Sequence, residues 1–143
     1  MKNLIMILLL GFLYLGNISA QSIFNVPVDK KENTIRYLLK NDFVYKDYIF
    51  EGMYEGRYVA VIPSDNFKAE IIFEAWMDLV KAKMLFNDIY YKLEKDPGFR
   101  EISFKDTYNV EFIRSSDGCK ITLRLIRSVT GKNTVDLVIS RYQ

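Results

Sequence analysis

Four glutamates in the first half of the chain are the residues best suited to acid–base chemistry. Glu51 and Glu55 lie four residues apart, as do Glu70 and Glu74. Paired carboxylates act as general acid and base in glycoside hydrolysis when they lie about 5 to 9.5 Å apart. Four residues along one strand span roughly 13 Å, so neither pair works within its own strand. A cross-strand pair such as Glu51 with Glu70 would come closer, which leaves a small envelope hydrolase with strand-borne carboxylates as an alternative.

The composition excludes most other catalytic and metal-binding machinery. The chain of 143 residues contains no histidine and one cysteine, Cys119. Ser-His-Asp and Cys-His nucleophiles, HExxH helices and Cys/His zinc sites therefore lack an obligatory residue. We predict no catalytic residue, no metal site and no cofactor. Cys119 is expected to be a small buried hydrophobic residue, and an intermolecular disulfide is the alternative.

The first 20 residues have the layout of a secretory signal peptide. One lysine precedes an apolar run over residues 4–15, and small and polar residues follow over 16–20. The apolar run falls short of the roughly twenty residues that a membrane span needs. We expect cleavage after Ala20, and the mature chain would then begin with Gln21 rather than with the cysteine of a lipoprotein. This predicts a periplasmic or secreted protein without a membrane anchor.

The charge balance of the mature chain argues against a nucleic-acid partner. Removing residues 1–20 leaves 123 residues with 19 basic and 18 acidic side chains. A protein that binds nucleic acid normally has a much larger basic excess. A chain of about 120 residues is long enough to bury its own core. We therefore predict a single domain over residues 21–143.

The periodicity of apolar residues predicts an alternation of helices and strand runs. A short strand over 23–28 leads into a helix, which Asp29 and Glu32 begin as a capping box and Asn41 ends. The further predicted elements are strands over 48–54, 57–63 and 67–74, a helix over 77–94, and strands over 99–105, 108–115, 119–127 and 134–142. The order β-α-βββ-α-βββ(β) indicates an α+β fold with an antiparallel sheet of about six to eight strands and two helices.

Two local patterns bear on the construction of this sheet. Residues 58–62 are all apolar or small, which predicts a central strand covered on both faces. Gly52 and Gly56 flank Tyr54, and we expect a β-bulge or a close-packed helix crossing at Gly52 and a hairpin turn at Gly56. The alternative is a strand that a ligand approaches closely. A helix followed by three strands occurs twice, without residue-level identity between the two units.

The last third of the chain holds the candidate interaction face. Its members are Ile113, Lys120, Thr122, Arg124, Ile126, Val138 and Tyr142. Four of them alternate along one predicted strand, and the others come from neighbouring strands. One interpretation is a solvated face on which the basic residues pair across strands with Glu111 or Asp136. The other is a mixed apolar and basic docking surface that no helix covers.

Motifs over residues 22–98 form a series of strand, turn and helix-end signals. They are Phe24-Asn25-Val26-Pro27-Val28-Asp29, Leu39 with Phe43, Phe50-Glu51-Gly52-Met53-Tyr54-Glu55-Gly56, Trp76, and Lys95-Asp96-Pro97-Gly98. The series resembles small secreted proteins of unknown function from Bacteroidetes, although Asp96-Pro97-Gly98 inverts their usual Gly-x-Pro ending. The resemblance implies a periplasmic or secreted α+β domain similar to the TATA-binding-protein-like fold, and it implies no catalytic residues.

The functional prediction follows from these exclusions and from the predicted export. The chain lacks a catalytic constellation, is rich in aromatic residues and has apolar residues at outward strand positions. We therefore predict a non-catalytic protein-binding or inhibitor-like domain. Its partner would be another protein or a second copy of this chain.

Overall fold

A computed structural model describes residues 23–141, excluding the side chains at positions 23, 74–76 and 104–105. The expected signal peptide and Tyr142 lie outside the described residues. Within this range the helices are α1 (Lys31–Lys40) and α2 (Leu79–Lys95), and a 3-10 turn forms at Ile23–Asn25. The strands are β1 (Val44–Lys46), β2 (Ile49–Tyr54), β3 (Arg57–Ser64), β4 (Lys68–Met77), β5 (Arg100–Asp106), β6 (Asn109–Arg114), β7 (Cys119–Arg127) and β8 (Asn133–Arg141).

The eight strands form one antiparallel sheet in the order β1-β2-β3-β4-β8-β7-β6-β5. Each helix precedes a meander of four strands, and the last strands of the two meanders, β4 and β8, pair in the middle of the sheet. The chain therefore consists of two units with the same element order. We call residues 31–77 the N-unit and residues 79–141 the C-unit.

The predicted α+β class with an antiparallel sheet is confirmed, but the order of elements differs at the start. The strand predicted over 23–28 is absent, and its first residues form the 3-10 turn. The segment packs instead of pairing, because the Pro27 carbonyl accepts the Thr34 hydroxyl at 2.5 Å and the Phe24 ring meets the Phe99 ring edge-on at 6.3 Å. A strand that was not predicted, β1, forms the edge of the sheet.

The ends of the helices correct a second prediction. The N-cap of α1 is Lys30, which makes no side-chain capping bond. The Asp29 carboxylate accepts Asn33 Nδ2 at 2.7 Å, so the predicted capping box with Glu32 is wrong. Helix α2 has the ordinary arrangement, since the Asp78 carboxylate accepts the backbone N–H of Lys81 at 2.9 Å.

The core lies between the two helices and one face of the sheet. Helix α1 buries Thr34 and Leu38 there, whereas α2 buries five residues: Ala82, Leu85, Phe86, Ile89 and Leu93. The strand residues that meet the helices include Val59, Ile71, Phe73, Val110, Ile121, Leu123, Val135, Leu137 and Ile139, each 0% exposed. Within residues 23–141 no helix covers the opposite face, which we call the helix-free face.

The strand buried on both faces is β8 rather than β3. All residues over 135–139 are buried in β8. In β3, by contrast, Tyr58 is 41% exposed and Ala60 is half-buried, so the prediction of a doubly covered β3 is wrong. The reason is position, because β8 lies between β4 and β7 in the middle of the sheet and β3 is third from an edge.

The hairpin turn expected at Gly56 is confirmed, whereas the bulge or helix crossing expected at Gly52 is wrong, because β2 pairs with β3 in unbroken register and Phe43 packs on Gly52. A Cβ atom at Gly52 would lie 2.7 Å from Cδ1 of Phe43, so a ring packs directly on this backbone. Gly56 has φ of +74° and Glu55 has φ of +48°, the positive values that a tight hairpin turn requires.

Candidate interaction surface

The helix-free face brings together the predicted interaction residues that the structure describes. Strand pairing places Ile113 opposite Lys120, and Thr122 opposite Val138. Because side chains alternate along a strand, Arg124 and Ile126 lie on the same face. Tyr142, the remaining predicted member, lies outside the described residues.

Burial separates the residues that a partner would touch from those that support them. Ile126 is 43% exposed, and Ile113 and Thr122 are half-buried. Val138 is only 8% exposed although no described helix covers it, since neighbouring strands surround it. Contact with a partner would therefore fall on the side chains of β6 and β7 rather than on Val138.

The two basic residues of β7 on this face, Lys120 and Arg124, pair with carboxylates on neighbouring strands. Lys120 Nζ lies 3.1 Å from Glu111 Oε1. Arg124 Nη2 lies 3.3 Å from Asp136 Oδ2 and 3.5 Å from Glu70 Oε1. The two cross-strand pairs considered from sequence are both present, and Glu70 is a further partner that the sequence did not place here.

Glu70, Arg124 and Asp136 form a group that we call the central cluster. Glu70 belongs to the N-unit and the other two belong to the C-unit, so the cluster spans the β4–β8 junction. Asp136 is 3% exposed. Burial raises the pKa of its carboxyl to about 6, assisted by a hydrogen bond with Glu70 and by the charge of Glu70, while Arg124 acts in the opposite direction.

Two polar atoms, one in the central cluster and one beside it, lack hydrogen-bond partners within residues 23–141. They are Arg124 Nε and Asn109 Oδ1, and both are buried. Asn109 lies directly opposite Arg124 in the pairing of β6 with β7. Leaving such an atom unsatisfied costs about 1 to 3 kcal/mol, so native proteins rarely do it without reason.

Among the described side chains, the glutamates considered for catalysis do not come together as a pair, and the side chain of Glu74 lies outside that description. Glu55 pairs with Lys92 of α2 on the helix side of the sheet, whereas Glu51 bonds to the Tyr58 hydroxyl and raises its pKa. Glu51 lies opposite Ala60 in β3, so a whole strand separates it from Glu70 in β4. The carboxyl that does adjoin Glu70 is Asp136.

Cys119 is a buried residue of β7, as predicted. It is 5% exposed and carries a free thiol. Burial raises the pKa of this thiol to about 11, so it remains protonated and unreactive at neutral pH. Among the described residues no group of three or more Cys, Asp and Glu side chains is arranged to hold a metal ion.

An apolar groove of about 590 Å³ lies beside the edge strand β1. It is lined by Lys31, Ile35, Leu39, Tyr45, Tyr48, Phe50, Ile62 and Pro63. Sequence reasoning missed this groove because it lies between α1 and a strand that was not predicted. The available signal was the run of aromatic residues at Phe43, Tyr45 and Tyr48.

The helices within residues 23–141 are too short or too polar to cross a membrane. No protein-family model matches the chain, and neither a curated protein nor a solved structure matches it.

Proposed function

We propose that this protein is a non-catalytic binding protein of the periplasm or the cell exterior, and that it contacts another protein through the helix-free face. The observation that carries the proposal is the one-sided packing of the sheet. Both helices cover one face of eight strands, and the other face combines ion pairs with exposed apolar groups. Met53, Tyr58 and Ile126 on that face are 63%, 41% and 43% exposed.

The composition of this face suits a protein partner. Exposed apolar residues supply contact area, and Lys120 and Arg124 are held in place by their carboxylate partners. Interfaces characteristically combine apolar contact with a few fixed polar groups. The extracellular or periplasmic location is inferred from the signal-peptide layout of residues 1–20.

The geometry of the carboxylates supports binding over hydrolysis. Glu70 and Asp136 both lie against one guanidinium nitrogen, Arg124 Nη2, at 3.5 Å and 3.3 Å. Asp136 is 3% exposed, and the Arg124 guanidinium lies against both carboxylates. A substrate would have to displace that guanidinium before it reached the buried acid.

Site-specific photocrosslinking tests which face the partner occupies. A benzophenone amino acid replaces Ile126 on the helix-free face, and in a matched control it replaces Met84, which is 62% exposed on α2. The full chain is expressed in its own cell and irradiated. We expect a crosslinked product from position 126 that is lost when Ile113→Asp is added, and none from position 84. The mass of the product distinguishes a second copy from a different protein.

Crosslinking from position 84 alone, or no product from position 126, would contradict the proposal. Circular dichroism of Ile113→Asp shows whether the lost product reflects a changed surface or an unfolded chain.

A further inference from the structure

The central cluster contains two carboxylates for one guanidinium. A single nitrogen of Arg124, Nη2, lies within 3.5 Å of both Glu70 and Asp136. With both carboxylates ionised, the cluster carries one net negative charge. Asp136 is 3% exposed, so water solvates that charge poorly.

The remaining charged groups on the helix-free face do not offset this charge closely. Glu111 and Lys120 neutralise each other at 3.1 Å. Lys68 lies two residues from Glu70 on β4 and is exposed, so solvent screens it. Glu51 on β2 adds a further negative charge and bonds to Tyr58. Among the described side chains, the middle of the face therefore has one more carboxylate than it has cations.

Hydrogen bonding in the same place is also incomplete. Asn109 Oδ1 is a buried acceptor without a donor among the described residues, and it adjoins Arg124 across the β6–β7 pair. Arg124 Nε is likewise a buried donor without an acceptor within residues 23–141, so one acceptor and one donor are unsatisfied beside the carboxylates that a further cation would balance. A lysine or arginine side chain supplies a positive charge for the carboxylates and an N–H donor for Asn109 Oδ1.

We propose that the helix-free face binds a protein surface that presents a basic side chain, lysine or arginine, to the central cluster. This inference rests on the proposed function and specifies the chemistry of the partner. The basic group contacts Glu70, whose side chain is 36% exposed, and balances the two carboxylates with two cations. Its apolar stem lies along Thr122 and Ile126, which border the cluster on β7. An acidic partner would instead add a third negative charge.

A peptide titration tests this chemistry without knowledge of the natural partner. The full mature chain, labelled with ¹⁵N, is titrated at pH 7 with acetyl-Gly-Arg-Gly-amide. The control peptide contains citrulline, which keeps the shape of arginine and lacks its charge. We expect the arginine peptide to shift the amide signals of residues 70, 124 and 136, and the citrulline peptide to bind at least about fivefold more weakly, a loss near 1 kcal/mol.

Charge-matched variants locate the binding site on the face. Glu70→Gln should weaken binding of the arginine peptide about fivefold, whereas Glu111→Gln removes a carboxylate that Lys120 already neutralises and should leave binding within about twofold.

Binding should also weaken from pH 7 to pH 5, because Asp136 gains a proton in that range and the peptide has no group that titrates there. The amide spectrum of each variant verifies its fold.

Three results would overturn the inference: no shifts at the central cluster, equal shifts with citrulline, or equal losses in the two variants. These results leave the proposed function intact if position 126 still crosslinks a partner. Conversely, failure of crosslinking at position 126 would contradict partner binding through the helix-free face, regardless of the result of the peptide titration.

Discussion

The N-unit and the C-unit have the same element order, yet they bury their helices to different extents. Helix α1 has 10 residues and buries two of them, whereas α2 has 17 residues and buries five. The outer strand of the N-unit, β1, has three residues and all of them are exposed. Its counterpart β5 has seven residues. An α-ββββ order therefore does not ensure equal packing.

The two helices differ in burial because they differ in length and in how much of the sheet they cover. Helix α2 packs on its own unit and also contacts the N-unit, since Lys92 pairs with Glu55 and Asp88 lies 4.0 Å from Arg57. Helix α1 is too short to cover the outer edge of its unit, and the apolar groove beside β1 remains open. We infer that the C-unit contributes more of the stability and that the N-unit depends on α2.

The largest expected effect comes from truncating one buried leucine in each helix. Leu93 in α2 and Leu38 in α1 are both 0% exposed. We expect Leu93→Ala to lower the free energy of unfolding by about 4 kcal/mol and Leu38→Ala by about 2 to 3 kcal/mol. The smaller loss reflects the open groove beside α1, where neighbouring side chains can relax into the cavity. Urea unfolding followed by circular dichroism measures both values. Equal losses would show that the two helices are equally well packed.

A smaller effect is expected at the β4–β8 junction, where the two units meet. The pKa of Asp136 is raised to about 6 in the folded chain, whereas an unperturbed aspartate titrates near 3.9. The folded state therefore binds this proton more tightly than the unfolded state does. The free energy of unfolding should fall as pH rises from about 4 to about 6, by at most about 3 kcal/mol.

Replacing the acid tests this assignment. Asp136→Asn should remove most of that slope, and Glu111→Gln should retain it, because Glu111 is paired with Lys120. Urea unfolding at several pH values between 4 and 7 provides the measurement. A slope that persists in Asp136→Asn would mean that the junction does not hold the titrating group.

The smallest effect concerns the ion pair through which α2 reaches the N-unit. Glu55 and Lys92 have side chains that are 42% and 43% exposed. A double-mutant cycle with Glu55→Gln and Lys92→Met should give a coupling energy below about 1 kcal/mol, which 1 M salt should largely abolish. A coupling of several kcal/mol would indicate that this exposed pair, rather than apolar packing, joins α2 to the N-unit.

Most strands were predictable from local signals. Strand β7 was predicted over 119–127 and is observed at Cys119–Arg127, because its alternation is regular and a turn precedes it. The strand predicted over residues 23–28 was wrong because a short apolar segment with a proline can either pair with a strand or pack on the core. Contact of Phe24 with Phe99 favours packing here. Strand β1 escaped prediction because its three exposed residues have no apolar alternation.

The candidate surface was predictable in membership but not in arrangement. Alternation along β7 places Lys120, Thr122 and Arg124 on one face whatever their neighbours are. The presence of Glu70 beside Arg124 depends on β4 pairing with β8, a contact between segments far apart in sequence. Strand order between distant segments leaves no trace in local periodicity, so the central cluster was not foreseen.

The sequence alone determined which chemistry is absent and which residues alternate along each strand, because composition and side-chain period are local properties. It excluded histidine-dependent sites and predicted an antiparallel α+β sheet. Tertiary structure decided that both helices pack on one face, that β8 is the strand buried on both faces, and that two carboxylates share one arginine at the β4–β8 junction. The physical reason is that burial and charge pairing depend on which distant strands become neighbours.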